Sequence, residues 1–164
     1  MAPGRQPVAV RRILVIGGPG SGRRTLAAEI AGMSGLPVVA PGVPGEGPEA
    51  GAQIAAALEA ARRPDWIIAT AAPAAWPHLA ARGHLVVAID LPVERRLWRL
   101  ARQRVLHGER DTDWQAARSY DPAPALRLAA ACHGRGTPRC VLLRSPAAVS
   151  WFARAYPARF ATVP

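Results

Sequence analysis

The sequence predicts an α/β fold in which helices cover both faces of a parallel sheet, and three observations carry that prediction. Short continuous apolar runs recur along the chain, the pattern of strands buried on both faces. Stretches with helical spacing of apolar residues alternate with them. A glycine-rich turn joins the first strand to the first helix. Such alternation implies parallel strands joined by right-handed crossovers.

The elements follow in order. Arg12 to Ile16, RILVI, reads as the first buried strand. The first helix has apolar residues at Leu26, Ile30 and Met33 and stops at Ser34-Gly35. Leu36 to Val39 reads as a short second strand. Pro41 to Pro48, PGVPGEGP, is the one low-complexity stretch, and its Pro and Gly make it a loop. Ala-rich Ala50 to Arg63 reads as a helix, Trp66 to Ala69 as a strand and Pro73 to Arg82 as a short helix. His84 to Ile89 is the clearest later strand and ends at Asp90. Val93 to Leu106 reads as an Arg-laden amphipathic helix with Leu97, Leu100, Ala101 and Val105 on its apolar side. A polar loop from Leu106 to Trp114 and a helix from Pro124 to Cys132 follow. Arg139 to Leu143 is the last strand, and Pro146 to Tyr156 is a last helix capped by Ser145.

The composition bounds the function. A length of 164 residues suits one domain, and with half its residues apolar the chain can bury a core. No apolar run approaches the ~20 residues that span a bilayer. The N-terminal MAPGRQPVAVRR lacks the apolar stretch of a signal peptide, so the expectation is a single cytoplasmic domain over residues 1–164 without a membrane partner. The chain has no Lys and no Asn, and its net charge of +10 rests on arginine. A GC-rich genome explains both absences and part of the charge. The charge still favours polyanions, so nucleic acid stands as an alternative partner through general basic attraction. The arginines come in pairs rather than long runs, and no aromatic-rich strand offers a base-stacking platform. Cys132 and Cys140 lack the spacing and companion ligands of a metal site and read as reduced structural thiols, with Cys140 expected in a buried strand.

The glycine-rich turn carries the chemistry. ILVIGGPGSGRRTLAAEIA runs strand, turn, helix. Gly17, Gly20 and Gly22 let the backbone fold with amides pointing inwards, an anion nest, and the helix aims its positive dipole end at the same point. Gly17, Gly18, Pro19, Gly20, Ser21, Gly22, Arg23, Arg24 and Thr25 are therefore the candidate phosphate-binding residues of a P-loop. Thr25 offers a hydroxyl to magnesium, directly or through water. The pattern G-x-x-x-x-G-K-[ST] fits at Gly17 and Gly22, but Arg23 stands at the Lys position and Arg24 follows it. Arg is bulkier, planar and forked, so the exchange keeps the charge while displacing it.

At these residues the chain resembles the adenylate-kinase-like nucleoside phosphate kinases, and more closely the bacterial DNA topology modulation protein group. GGPGSGRRT is similar to that group's GGPGSGKST loop. Asp65-Trp66-Ile67-Ile68 is similar to the strand before its DGN segment. AIDLPVERRLWRLARQR with His107-Gly108-Glu109-Arg110-Asp111 resembles its LDLP strand end, Arg-rich helix and G-x-R-x-D lid. Val141 to Pro146 with Val149 and Phe152 resembles the closing strand and helix. The resemblance implies a three-layer P-loop NTPase fold, a five-stranded parallel sheet with a short lid at about residues 107–122. It further implies ATP and magnesium at Gly17 to Thr25, with Arg99, Arg102 or Arg110 reaching towards phosphate. Phosphoryl transfer needs mainly positioning and charge neutralisation, which suits such arginines.

The departures concern catalysis. Where the group has an acidic Leu-Asp after the second strand, this chain has Val39-Ala40-Pro41-Gly42, and Ala69-Thr70-Ala71 replaces Asp-Gly-Asn. Glu46, Glu49, Asp65, Asp90, Asp111 and Asp113 remain as other carboxylates, of which Asp90 lies at a strand's C-terminal end, where α/β folds place ligands. The expectation is a nucleotide-binding protein with weakened or absent phosphotransfer, in which Arg23, Arg99, Arg102 and Arg110 act on any transferred phosphoryl group. An active small-molecule or nucleotide kinase and a basic nucleic-acid-binding protein are the alternatives.

Overall fold

The computed structural model describes residues 8–40, 48–108, 114–132 and 138–163. Its main sheet has five parallel strands: β2 (Arg12–Gly17), β3 (Val38–Val39), β4 (Trp66–Thr70), β5 (Leu85–Ile89) and β6 (Arg139–Leu143). Their spatial order is β3-β4-β2-β5-β6, so the strand that carries the glycine turn is central. β2 pairs in register with β4 from Arg12↔Trp66 to Ile16↔Thr70 and with β5 from Ile13↔Leu85 to Gly17↔Ile89. β2, β4 and β5 have apolar residues at nearly every position because helices cover both faces, leaving no solvent face to alternate towards.

On one face lie α1 (Arg23–Ser34) and α7 (Pro146–Arg159). Leu26, Ala27 and Ile30 of α1 and Phe152 and Tyr156 of α7 pack with Ile13, Val15, Ile67, Val87 and Ile89. On the other lie α2 (Pro48–Ala60), α3 (Trp76–Arg82) and α6 (Ala123–Cys132), whose Ala57, Trp76, Leu79 and Ala125 pack with Leu14, Ile16, Ile68, Val86 and Ala88. The two clusters take alternate residues of β2, as a period of two requires. α1 ends at Gly35, whose φ of 71° admits the left-handed cap and whose N–H donates to Ala31 O at 2.8 Å. Ser145 caps α7 by accepting from the Ala148 N–H at 3.0 Å.

Several expected bounds shift. The second strand is Val38–Val39 alone; Pro37 still accepts from the Ile67 N–H through its carbonyl but has no amide to donate. Pro48, expected in the loop, opens α2, where its missing N–H has no helical partner to lose. The Pro41 to Gly47 stretch lies outside the described residues. Pro73–Ala75 forms a 3₁₀ turn ahead of α3. α4 (Val93–His107) runs to a left-handed cap at Gly108, so Leu106 and His107 belong to the helix rather than the polar loop. α5 (Trp114–Ser119) lies inside the lid range and residues 109–113 lie outside the described ones. Cys140 is half-buried rather than buried because β6 is an edge strand, while Cys132 is buried, and both are free thiols. Two short strands, β1 (Val8–Ala9) and β7 (Thr162–Val163), pair antiparallel beside the main sheet. Two residues apiece are too few to show a period, so the sequence gives no sign of them.

Candidate phosphate-binding site

β2 ends at Gly17 at the sheet's C-terminal edge, with β4 on one side and β5 on the other. This is where strand order reverses, the crevice in which open α/β sheets hold ligands. The loop turns back through a Ser21 N–H bond to Gly18 O at 3.1 Å, and α1 starts with the Leu26 N–H to Gly22 O bond at 3.0 Å. Gly20 (φ 76°) and Gly22 (φ 87°) hold the left-handed conformation the turn requires. Gly22 is the N-cap of α1 with no side-chain cap, so the helix's first amides keep no acceptor from within the helix. No acidic residue sits in that first turn; Arg23 and Arg24 do, against the helix dipole.

Arg23 turns back under the loop. It is 4% exposed, and its Nη1 donates to Gly18 O at 3.0 Å and to Gly17 O at 3.4 Å. Its Nε is buried without a partner, as is the hydroxyl of the fully buried Ser21. Burial, helped by the neighbouring charge of Arg24 and opposed by Tyr120, lowers the Arg23 pKa to about 10, so it stays a cation at neutral pH.

α4 lies against the loop through the face that carries Arg96, Arg99 and Leu100. A Cβ added at Gly20 would stand 2.5 Å from Arg96 O, and one at Gly22 would stand 2.5 Å from an Arg99 Nη. A Cβ at Gly18 would stand 2.7 Å from both Arg96 Nη1 and the Tyr120 ring. Gly18, Gly20 and Gly22 are thus needed for the helix and its arginines to approach. Arg96 is 5% exposed. Its Nε donates to Leu91 O at 3.2 Å, its guanidinium sits 4.9 Å from the Tyr120 ring centre, and its Nη1 has no partner. Burial lowers its pKa, and Tyr120, Asp90 and Glu94 work the other way. The Tyr120 hydroxyl is likewise buried and unpartnered, with its pKa raised to about 12 by burial. Among the described residues the salt bridges are Arg11–Asp65, Arg62–Glu59 and Arg144–Asp90, so Arg23, Arg96 and Arg99 converge on the loop without one.

The other named residues separate. Gly17, Gly18 and Pro19 are buried at the strand end, while Arg24 and Thr25 are exposed in the first turn of α1. Arg102 lies on the outer side of α4, its guanidinium 5.6 Å from the Trp98 ring centre. With Arg95, Trp98, Arg99, Leu106 and Pro146 it lines a cleft of about 410 Å³. Arg110 lies outside the described residues, as do Glu46, Asp111 and Asp113. Asp65 pairs with Arg11 at the opposite end of the sheet from the loop. Asp90 stands at the C-terminal end of β5, and its nearest basic partner is Arg144 at 3.7 Å. Thr70 is buried and accepts from the Ala72 N–H, closing the end of β4. The apolar side expected for α4 is wrong at its end, since Val105 is 83% exposed and Arg96 is the buried member. Sequence reasoning missed Arg96, although it stands three and four residues before Arg99 and Leu100, on one helix face. It also missed Tyr120, which no motif marks.

The donors fit a polyphosphate: buried N–H groups without acceptors, a glycine nest and three arginines that form no salt bridge among the described residues. Magnesium has less to bind. Among the described residues no three His, Cys, Asp or Glu cluster, and the hydroxyl position after the motif's Lys holds Arg24.

No protein-family model matches the chain, and no curated protein matches its sequence. Solved structures match its fold. A gluconokinase from Sinorhizobium meliloti 1021 superposes with a TM-score of 0.57 at 18% identity, covering 92% of this chain and 93% of that one. A shikimate kinase from Acinetobacter baumannii in complex with shikimate gives 0.56 at 18% identity, covering 90% and 91%. A shikimate kinase from Bacteroides thetaiotaomicron gives 0.53 at 16% identity, covering 89% and 95%. The fold is therefore the three-layer α/β fold of the P-loop kinases, with the glycine loop at the same strand-to-helix junction that the sequence motif marks.

Proposed function

We propose that the chain binds a nucleoside triphosphate, ATP, with its phosphates on Gly17 to Thr25, and that its phosphoryl transfer is weakened or absent. One observation carries the reading: Arg23, Arg96 and Arg99 surround the loop, and two of them are buried cations with unpartnered N–H groups and no salt bridge. Buried charge without a direct ion pair is costly, and a bound polyanion would relieve that cost. The base would enter the cleft beside the loop, where Trp98, Arg102 and Pro146 offer flat apolar and cationic surfaces. Arg102 and Arg110 keep the lid-side role that the family resemblance implies, and the topology modulation group remains the proposed nearest family. We place magnesium, where it binds, beside the Thr25 hydroxyl, with the arginines supplying most of the charge neutralisation.

Weak transfer rests on Arg23. A Lys at that position reaches the phosphates as a point charge, whereas Arg23 spends its Nη1 on the carbonyls of Gly17 and Gly18. The ends of β3 and β4 add no carboxylate among the described residues to take a proton from an acceptor hydroxyl. A second reading, an active kinase for a small hydroxylated acceptor, is favoured by the gluconokinase and shikimate kinase neighbours. Transfer from labelled ATP to polyols, hydroxy acids and nucleoside monophosphates separates the two. The first reading expects wild-type turnover far below about 1 s⁻¹ and a gain of at least about tenfold in Arg23→Lys. Fast wild-type turnover with no gain in Arg23→Lys establishes the second.

A further inference from the structure

The opposite end of the sheet carries a second basic cleft, which the loop does not use. It opens where β2 begins and where α2 and α3 return to β4 and β5, and encloses about 730 Å³. Arg12, Arg62, Arg63, Arg82 and His84 line it, and no carboxylate does. The nearby acids are engaged: Asp65 by Arg11, and Glu59 by Arg62 at 3.2 Å. Arg12 Nε is buried without a partner.

His84 shows what is missing. The Arg11 backbone N–H can only donate, and it faces His84 Nδ1 at 3.1 Å. Arg12 Nη2, another group that can only donate, stands 2.7 Å from His84 Nε2. A neutral imidazole accepts at one nitrogen only, so the ring satisfies one of these two donors and leaves the other short of an acceptor, while Arg12 Nε is buried without one. An oxyanion seated in the cleft would supply the missing acceptor to the Arg12 guanidinium, with the exposed Arg63 and Arg82 closing over it.

We propose that this cleft is a second anion site, built for a compact, multiply charged phosphate such as a pyrophosphate group. A nucleic-acid backbone would need an extended track with aromatic rings on which bases stack. Here the cationic side chains line one open cleft, and no Trp, Tyr or Phe lines it.

His84 reports occupancy directly. Inorganic pyrophosphate is titrated into the full chain while the His84 imidazole resonances are followed across pH. The site expects a saturable response and a His84 pKa higher by about one unit, as a close opposite charge produces. Removing two charged donors in the exposed pair Arg63→Gln with Arg82→Gln should weaken the response at least about tenfold. Arg96→Gln, at the loop, should leave it unchanged, which separates this site from that one. A His84 that ignores pyrophosphate, or responds equally in the double variant, overturns the proposal. So does a His84 that answers to an oligonucleotide at concentrations where pyrophosphate has no effect.

Discussion

Arg96 is a buried cation placed to meet phosphate at the loop. It is buried against a glycine loop, holds one backbone carbonyl and leaves Nη1 without an acceptor. A bond from a charged donor contributes about 1.5–3 kcal/mol, so Arg96→Gln should weaken ATP binding by roughly tenfold to a hundredfold, read by calorimetry. Its apo stability should fall little, because the variant also removes an unpaired buried charge. A collapse of the apo fold would instead make Arg96 a structural residue. His84 gives the pH prediction. Burial first, and the Arg12 charge second, hold its pKa below the usual histidine value of 6.5. The unfolded chain therefore binds more protons as pH drops through 6.5, and stability falls with it. His84→Gln should flatten that part of the melting-temperature profile, and added pyrophosphate should oppose the loss in the wild type alone. An unchanged slope in His84→Gln would show that other groups carry the pH dependence.

At the scale of elements, glycines separate the loop from ordinary helix. Gly20→Ala forces a side chain into φ 76° and sets a Cβ 2.5 Å from Arg96 O, so it should destabilise by more than about 1 kcal/mol. Gly32, inside α1, has nothing within 4 Å of an added Cβ, and Gly32→Ala should stabilise by about 0.5–1 kcal/mol in denaturant melts. Equal effects of the two would remove the claim that α4 and the loop are packed in contact. Most elements were legible because apolar runs and helical spacing survive in an Ala-rich sequence: Arg139–Leu143 was read to the residue. The loop was legible because its glycines are placed by backbone need. The face of α4 was not, since its buried position is an arginine that apolar periodicity counts as solvent-facing. Tyr120 reaches Arg96 and Gly18 from the far side of the lid range, a tertiary contact that no local spacing encodes.

The whole molecule is a basic body, +10 in net charge, with the proposed phosphate sites at opposite ends of β2. We retain the reading of residues 1–164 as one P-loop domain with its lid at about 107–122. No helix among the described residues is long and apolar enough to cross a membrane. At the loop, Arg23 stands where the P-loop pattern places a lysine, Arg24 where it places a hydroxyl, and Arg96 and Arg99 add charge from α4, so binding should depend less on magnesium than that pattern implies. Thermal melting of the full chain against ATP, GTP and ADP, with magnesium and with chelator, tests this most directly. A site filled at about a hundred times its dissociation constant stabilises by about 2.7 kcal/mol. The expected result is a saturable rise in melting temperature with ATP that persists in chelator and is clearly smaller in Arg96→Gln at the same ATP concentration. No rise with any nucleotide, or a rise that Arg96→Gln leaves intact, would contradict it.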